Sequence, residues 1–153
     1  MSNDFEKRVN ELQESIMEDA RKIYSEKVIE RWLKPRNWGK VRDADSIAKI
    51  KGPCGDTMQI SLKVKDHRIS KIRFTTDGCA SSIAAGSMAT ELAKGRKVEE
   101  AVEISQQMIL EALKGLPEES VHCALLASNT LKEAIKNYFD SKRNDPVEQR
   151  NKE

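Results

Sequence analysis

Apolar and polar residues alternate strictly from Thr57 to Lys65, and only an extended strand puts such a pattern to use. Met58, Ile60, Leu62 and Val64 then lie on one face, with Gln59, Ser61 and Lys63 on the other. Asp66, His67 and Arg68 supply a turn, after which Ile72 and Phe74 resume the alternation. The expected unit is an antiparallel hairpin, and Ser46 to Ile50 reads as a further short extended segment. Cys54 precedes the first hairpin strand and Cys79 follows the second. The hairpin therefore brings two cysteines together that are far apart in sequence.

Helical periodicity frames this sheet on both sides. Phe5, Val9, Leu12, Ile16, Ala20 and Ile23 step by four or three, a narrow apolar stripe over residues 4–23. The pattern runs on through Val28, Ile29 and Trp32 and stops at Leu33-Lys34-Pro35, where proline disfavours helix in the residue before it. After Cys79, Ser81 or Ser82 is expected to cap a helix reaching Leu92, with Gly95 as its stop. Two short helices follow, Val98 to Ile104 and Gln106 to Leu113. A last helix is expected from about Val121 to Phe139, with Cys123, Ala127, Leu131, Ala134, Ile135 and Tyr138 on its core face. Strands first and helices later make the class α+β: a small antiparallel sheet of about three strands packed against helices. Three parts are expected: a helical extension (1–23), one domain (24–139) and a mobile polar tail (140–153). The extension either docks on the domain's own surface or pairs with a second copy or a partner, burying Phe5, Leu12 and Ile16.

Composition narrows the function. A net charge of +2, basic residues spread along the chain and 5% aromatics give no reason to expect nucleic acid. No apolar run approaches the roughly 20 residues of a membrane span. Residues 1–6 show no basic region leading into an apolar core, so no secretory signal is expected. Three cysteines cannot all pair within one chain, and in a reducing cytoplasm free thiols read as metal-binding or reactive. Their settings are Gly52-Pro53-Cys54-Gly55-Asp56, Asp77-Gly78-Cys79-Ala80 and His122-Cys123. Cys79 is expected at a helix N-terminus and Cys123 in the first turn of the last helix, both settings that favour thiolate. With Asp56 and His122 the inventory is three sulfurs, an imidazole and a carboxylate, one donor more than a tetrahedral soft-metal shell requires. Each residue also has a plainer reading. Cysteine is often a small core hydrophobe, Asp56 a turn cap, and His122 a surface or capping group. His67, at the far end of the hairpin, is assigned no role. The spacings match neither zinc fingers nor ferredoxin cysteine runs, and separate loops suit a site that opens.

These residues resemble the IscU/NifU-type iron–sulfur cluster assembly scaffolds. The markers are Tyr24-Ser25-Glu26-Lys27-Val28-Ile29, Lys34-Pro35-Arg36-Asn37, Pro53-Cys54-Gly55-Asp56, Gly78-Cys79 with Ala80-Ser81-Ser82-Ile83-Ala84, and Leu116-Pro117 leading into His122-Cys123. The resemblance runs from Tyr24 to about Tyr138. It implies a non-enzymatic cytoplasmic scaffold on which a [2Fe–2S] cluster is assembled and passed to apo-proteins. Sulfur would arrive as persulfide from a pyridoxal-phosphate cysteine desulfurase that binds the scaffold. Cys54, Cys79 and Cys123 would be cluster ligands, Cys123 the first choice as persulfide acceptor, and Asp56 and His122 alternative ligands at the fourth position. Asp56 would make the cluster labile, and Zn²⁺ would take the same side chains in the cluster-free form.

The chain departs from the family pattern in two places. Bacterial members carry Leu-Pro-Pro-Val-Lys, read by a dedicated Hsp70 chaperone. Here Leu116-Pro117-Glu118-Glu119-Ser120 lacks the second proline and the lysine, which argues against recruiting that chaperone. About twenty residues also precede the usual start. His122 and the short span from Cys79 to Cys123 look IscU-like rather than like the zinc-bearing SufU branch. Two rivals remain at this point: a zinc-binding accessory protein that builds no cluster, and a sulfurtransferase with Cys123 as nucleophile.

Overall fold

Two helices, a three-stranded sheet and four further helices follow one another through residues 2–143, the part of the chain that the computed structural model describes. In chain order they are α1 (Ser2–Ile23), α2 (Glu26–Leu33), β1 (Ser46–Lys51), β2 (Thr57–Lys65), β3 (Arg68–Thr76), α3 (Ala80–Ala93), α4 (Val98–Ala101), α5 (Gln106–Ala112) and α6 (Val121–Arg143). The expected α+β class holds, with an antiparallel sheet of order β1-β2-β3. Asp66 and His67 form the two-residue β2–β3 turn, both with positive φ (55° and 65°). That handedness matches the right-handed twist of the strands it joins.

The alternation in β2 sets the core. Met58, Ile60 and Leu62 are fully buried, as is Phe74 opposite Ile60 in the β2–β3 register. Helices α3 and α6 cover this face, and α6 contributes the expected stripe of Cys123, Ala127, Leu131, Ala134, Ile135 and Tyr138. The other face of β2 is not simply solvated. Ser61 is 1% exposed, because the loop at Val41 folds over it and donates its amide to Ser61 Oγ at 2.8 Å.

Helix α3 lies so close to the sheet that one position allows no side chain. A Cβ on Gly86 would stand 2.4 Å from the Phe74 ring. Gly86→Ala gains about 1 kcal/mol of helix propensity but overpacks the core at a cost of about 1–3 kcal/mol or more. We expect a lower melting temperature; an equal or higher one in thermal denaturation would contradict this packing.

Several local expectations are corrected. The N-terminal helical pattern does not run unbroken to Trp32. It stops at Ile23 and restarts at Glu26, because Ser25 Oγ accepts the Val28 amide at 3.1 Å and donates to Leu113 O. Neither Ser81 nor Ser82 caps α3; Cys79 occupies that position and both serines are buried in the first turn. The helix expected from Val98 to Ile104 is a single turn ending at Ala101. Helix α6 continues to Arg143, so residues 140–143 are helical, and residues 144–153 of the expected tail lie outside the described residues. The stripe of α1 does not dock on the domain: Phe5, Leu12, Ile16 and Ile23 are exposed and only Ala20 is buried.

The Lys34-Pro35-Arg36-Asn37 loop is pinned to α3. Arg36 donates its amide to Ser87 Oγ at 3.0 Å, and Asn37 donates Nδ2 to Thr90 Oγ1 at 3.1 Å. Buried Arg31 grips Glu91 with two hydrogen bonds at 3.0 and 3.1 Å. Burial alone would push the Glu91 carboxyl up; hydrogen bonds from Arg31 and Ser87 outweigh it and hold the group below its ordinary range. Among the described residues no helix is long and apolar enough to cross a membrane.

Candidate functional site

The donor residues gather at the end of the sheet opposite the Asp66–His67 turn. Residues 52–56 close the β1–β2 connection. Gly52 donates its amide to Asp56 O at 2.7 Å and Gly55 donates to Gly52 O at 3.0 Å. Gly55 sits at φ +90°, a left-handed conformation that favours glycine. Beside this loop, Thr57 donates its amide to Asp77 Oδ1 at 2.7 Å, which fixes the exit of β3 and hence Cys79 at the start of α3. Pairing of Met58 with Thr76 brings the two chain segments abreast, as the hairpin required.

Three side chains converge tightly: the ligand atoms of Asp56, Cys79 and Cys123 lie within 4.8 Å of one another. His122 joins them from the first turn of α6. Its Nε2 stands 3.7 Å from Cys123 Sγ and 2.5 Å from Cys54 Sγ. Adjacent residues on a helix diverge by about 100°, so His122 and Cys123 reach one place only because they stand at the start of α6. All five expected site residues are therefore brought together, while His67 lies at the far turn. Cys54 meets the cluster through His122, whereas the tight trio takes Asp56 from the same loop.

Ser82 and Gly78 complete the site, and the sequence reading gave neither a role there. Ser82 is fully buried, with Oγ 2.9 Å from Asp56 Oδ2 and 3.3 Å from Cys123 Sγ. Its single hydroxyl proton serves one acceptor at a time, so it couples the carboxylate to the sulfur. A Cβ on Gly78 would stand 2.6 Å from both Asp56 Oδ2 and Ser82 Oγ. Glycine there leaves room for the carboxylate. The only available signal was their place in Gly78-Cys79-Ala80-Ser81-Ser82, where small residues permit close approach.

Exposure divides the thiols. Cys54 and Cys79 are exposed, whereas Cys123 is 1% exposed. Burial pushes the Cys123 thiol up to about 11; the nearby Cys79 and Asp56 add to this, while the Ser82 hydrogen bond opposes it. In the metal-free protein the folded thiol stays neutral where the unfolded one ionises, from its ordinary value of 9.0 upward. That stability is complete below pH 9 and is lost as pH rises through about 11. We expect a loss of about 2–3 kcal/mol across this window. Urea titrations in chelator at each pH would measure it, and Cys123→Ala should remove that increment.

The donor set suits a soft metal. Zinc–sulfur bonds of about 2.3 Å imply sulfurs roughly 3.8 Å apart in a tetrahedron, a spacing that fits within the 4.8 Å spanned by the trio. A bound cation would stabilise the Cys123 thiolate that burial disfavours.

Residues 23–145 match the family described as NifU-like N terminal domain. The chain is 50% identical over 118 residues to a protein of Archaeoglobus fulgidus named iron-sulfur cluster assembly scaffold protein IscU 1, covering 76% of this chain and 77% of that one. It is 42% identical over 120 residues to the iron-sulfur cluster assembly scaffold protein IscU of Escherichia coli, covering 75% and 93%. Among solved structures, the NifU-like N-terminal protein of Brucella abortus superposes with a TM-score of 0.62 at 18% identity, over 77% of this chain and 95% of that one. At that identity the likeness speaks for the fold alone.

Proposed function

The chain belongs to the IscU/NifU-type family of iron–sulfur cluster assembly scaffolds, and from that premise we propose how its own residues serve assembly and release. The protein is a scaffold and not an enzyme. The cluster is its cargo, built on the donor site and handed on. Cys54, Cys79 and Cys123 supply thiolates, and Asp56 and His122 alternate at the fourth position. The observation that carries this reading is the convergence of five donors from three separate segments at one end of the sheet.

Two iron atoms with two bridging sulfides need four protein ligands, and five donors leave one to exchange. Asp56 is the natural exchanger, because a carboxylate is a hard ligand beside soft thiolates and admits water to the site. The cargo we assign is therefore a [2Fe–2S] cluster, with Zn²⁺ as the occupant of the cluster-free site. Its sulfur donor is a pyridoxal-phosphate cysteine desulfurase, and its recipients are apo-proteins. The Cys123 thiolate would attack the outer sulfur of the donor persulfide, and the donor cysteine would leave as thiolate. Glu118 and Glu119, in the turn before α6, argue against Hsp70 recruitment through this segment. Three free cysteines suit a reducing compartment, and we place the scaffold in the cytoplasm. We assign the work of assembly to residues 24–139 and treat 1–23 and 140–153 as additions to that domain.

Anaerobic reconstitution with iron, cysteine and a desulfurase tests the reading. Visible cluster absorption should develop and then be lost to an added apo-ferredoxin. Persistent zinc with no transfer would instead identify an accessory zinc protein.

A further inference from the structure

Away from the donor site, the outer edge of β3 borders an open groove of about 730 Å³. Lys40, Arg42, Lys71, Arg73 and Lys94 line it together with Trp38, and no carboxylate does. All five cations are exposed, and none forms an ion pair with another described residue. The chain as a whole carries 27 basic and 25 acidic residues, so five unmatched cations around one groove are a local concentration of charge. Arg73 donates to Trp38 O at 3.5 Å, but no carboxylate in the lining offsets the mutual repulsion of the five, and such a cleft attracts anions.

The floor of the groove adds a different kind of recognition. The chain's own loops cover the β3 edge at two places. At one, Phe74 donates its amide to Asn37 O and Gly39 donates to Phe74 O, both at 2.8 Å. At the other, Ile69 donates to Arg96 O at 2.9 Å and Gly95 donates to Ile69 O at 2.8 Å. Ile72 lies between them and lines the groove. The ladder pairs Ile60 with Phe74 and Leu62 with Ile72 without interruption, so Ile72 shares the phase of Phe74. Its N–H and C=O therefore point out along the sheet edge, and neither bonds to a loop among the described residues; Ile72 is only 2% exposed, so the groups that cover it must move aside for a docked strand.

We propose that this groove docks an extended acidic segment of a partner protein. The segment's carboxylates meet the five cations, and its main chain exchanges one pair of hydrogen bonds with Ile72, a short case of strand addition. Trp38, 43% exposed, offers an apolar face to an intervening side chain. The Ile72 pair decides between anions. A phosphate accepts hydrogen bonds but has no N–H for the Ile72 carbonyl, whereas an extended peptide supplies both. None of the five donor residues lines the groove, so a docked segment leaves them free.

The test uses the full chain and a fluorescein-labelled peptide, acetyl-Glu-Val-Glu-Val-Glu-amide, read by anisotropy. Saturable binding should weaken about tenfold between about 50 and 300 mM salt. The double variant Arg42→Gln/Lys71→Gln should weaken it by a similar factor while keeping the parent's zinc content and far-UV spectrum. Both residues are exposed, so the fold should tolerate the change. Methylating alternate peptide amides removes the main-chain donors in one phase; only the phase that faces Ile72 should lose binding. Three results would each overturn the proposal: no saturable binding, indifference to the double variant, or equal loss in both methylated phases. Equally tight binding of a six-residue oligothymidylate would also overturn it, in favour of a general anion site.

Discussion

Replacing Cys123 by serine is expected to abolish persulfide transfer from the desulfurase. The substitution keeps nearly the same volume in a site with 1% exposure, and Ser82 and Asp56 stand near enough to partner the new hydroxyl, so the fold should persist. It removes the sulfur that stands between Asp56, Cys79, Ser82 and His122. The wild-type site also sets a condition. A thiol held at about 11 is ionised to only about one part in ten thousand at pH 7. A cation in the site would favour the thiolate and so promote transfer to Cys123. Cys54→Ser and Cys79→Ser should leave transfer largely intact, although both thiols are exposed. Mass spectrometry after incubation with the desulfurase and cysteine counts the added sulfur. Full retention in the Cys123 variant would move the acceptor role to Cys54 or Cys79.

Asp56→Ala should slow cluster release by about tenfold or more, the scale on which groups around a metal site change its affinity. Three effects add. The hard oxygen that exchanges with thiolate is gone. The Ser82 hydroxyl, now bonded to Asp56 Oδ2 at 2.9 Å, is freed to donate to Cys123 Sγ. One of the neighbours that raise the Cys123 thiol is also removed. The loop should survive, because its closing bond uses the Asp56 main-chain oxygen, which alanine retains. Following visible absorption while an apo-ferredoxin is present gives the release rate directly. Faster loss from the variant than from the parent would overturn the role given to Asp56.

The parts of the molecule that were legible in the chain are those with a local cause. Alternation over Thr57–Lys65 required a strand, and the turn that follows required its antiparallel return. The α6 stripe was readable for the same reason, since its buried residues recur at helical spacing. Capping was less legible. Ser81 and Ser82 have the chemistry of caps, yet both are buried behind Cys79. Ser25, read only as part of a family motif, is the residue that divides the first two helices. A hydroxyl's role depends on what lies beside it, and that is decided by packing.

The kinds of donor and the reason for Cys54 and Cys79 to approach each other were determined by the sequence alone. A thiol, an imidazole and a carboxylate carry their chemistry wherever they stand, and a hairpin's ends must meet. What the tertiary structure decided is which donors touch and in what state. Cys54 meets His122 across 68 positions, and Ser82 meets Cys123 across 41. Cys123 alone among the thiols is buried, and that burial pushes it up to about 11. No local period encodes contacts at such separations. They follow from α3 and α6 closing over one sheet, with Gly86 flush against Phe74 and Gly78 against Asp56. The burial that completes this core also raises the Cys123 thiol, because desolvation disfavours an anion.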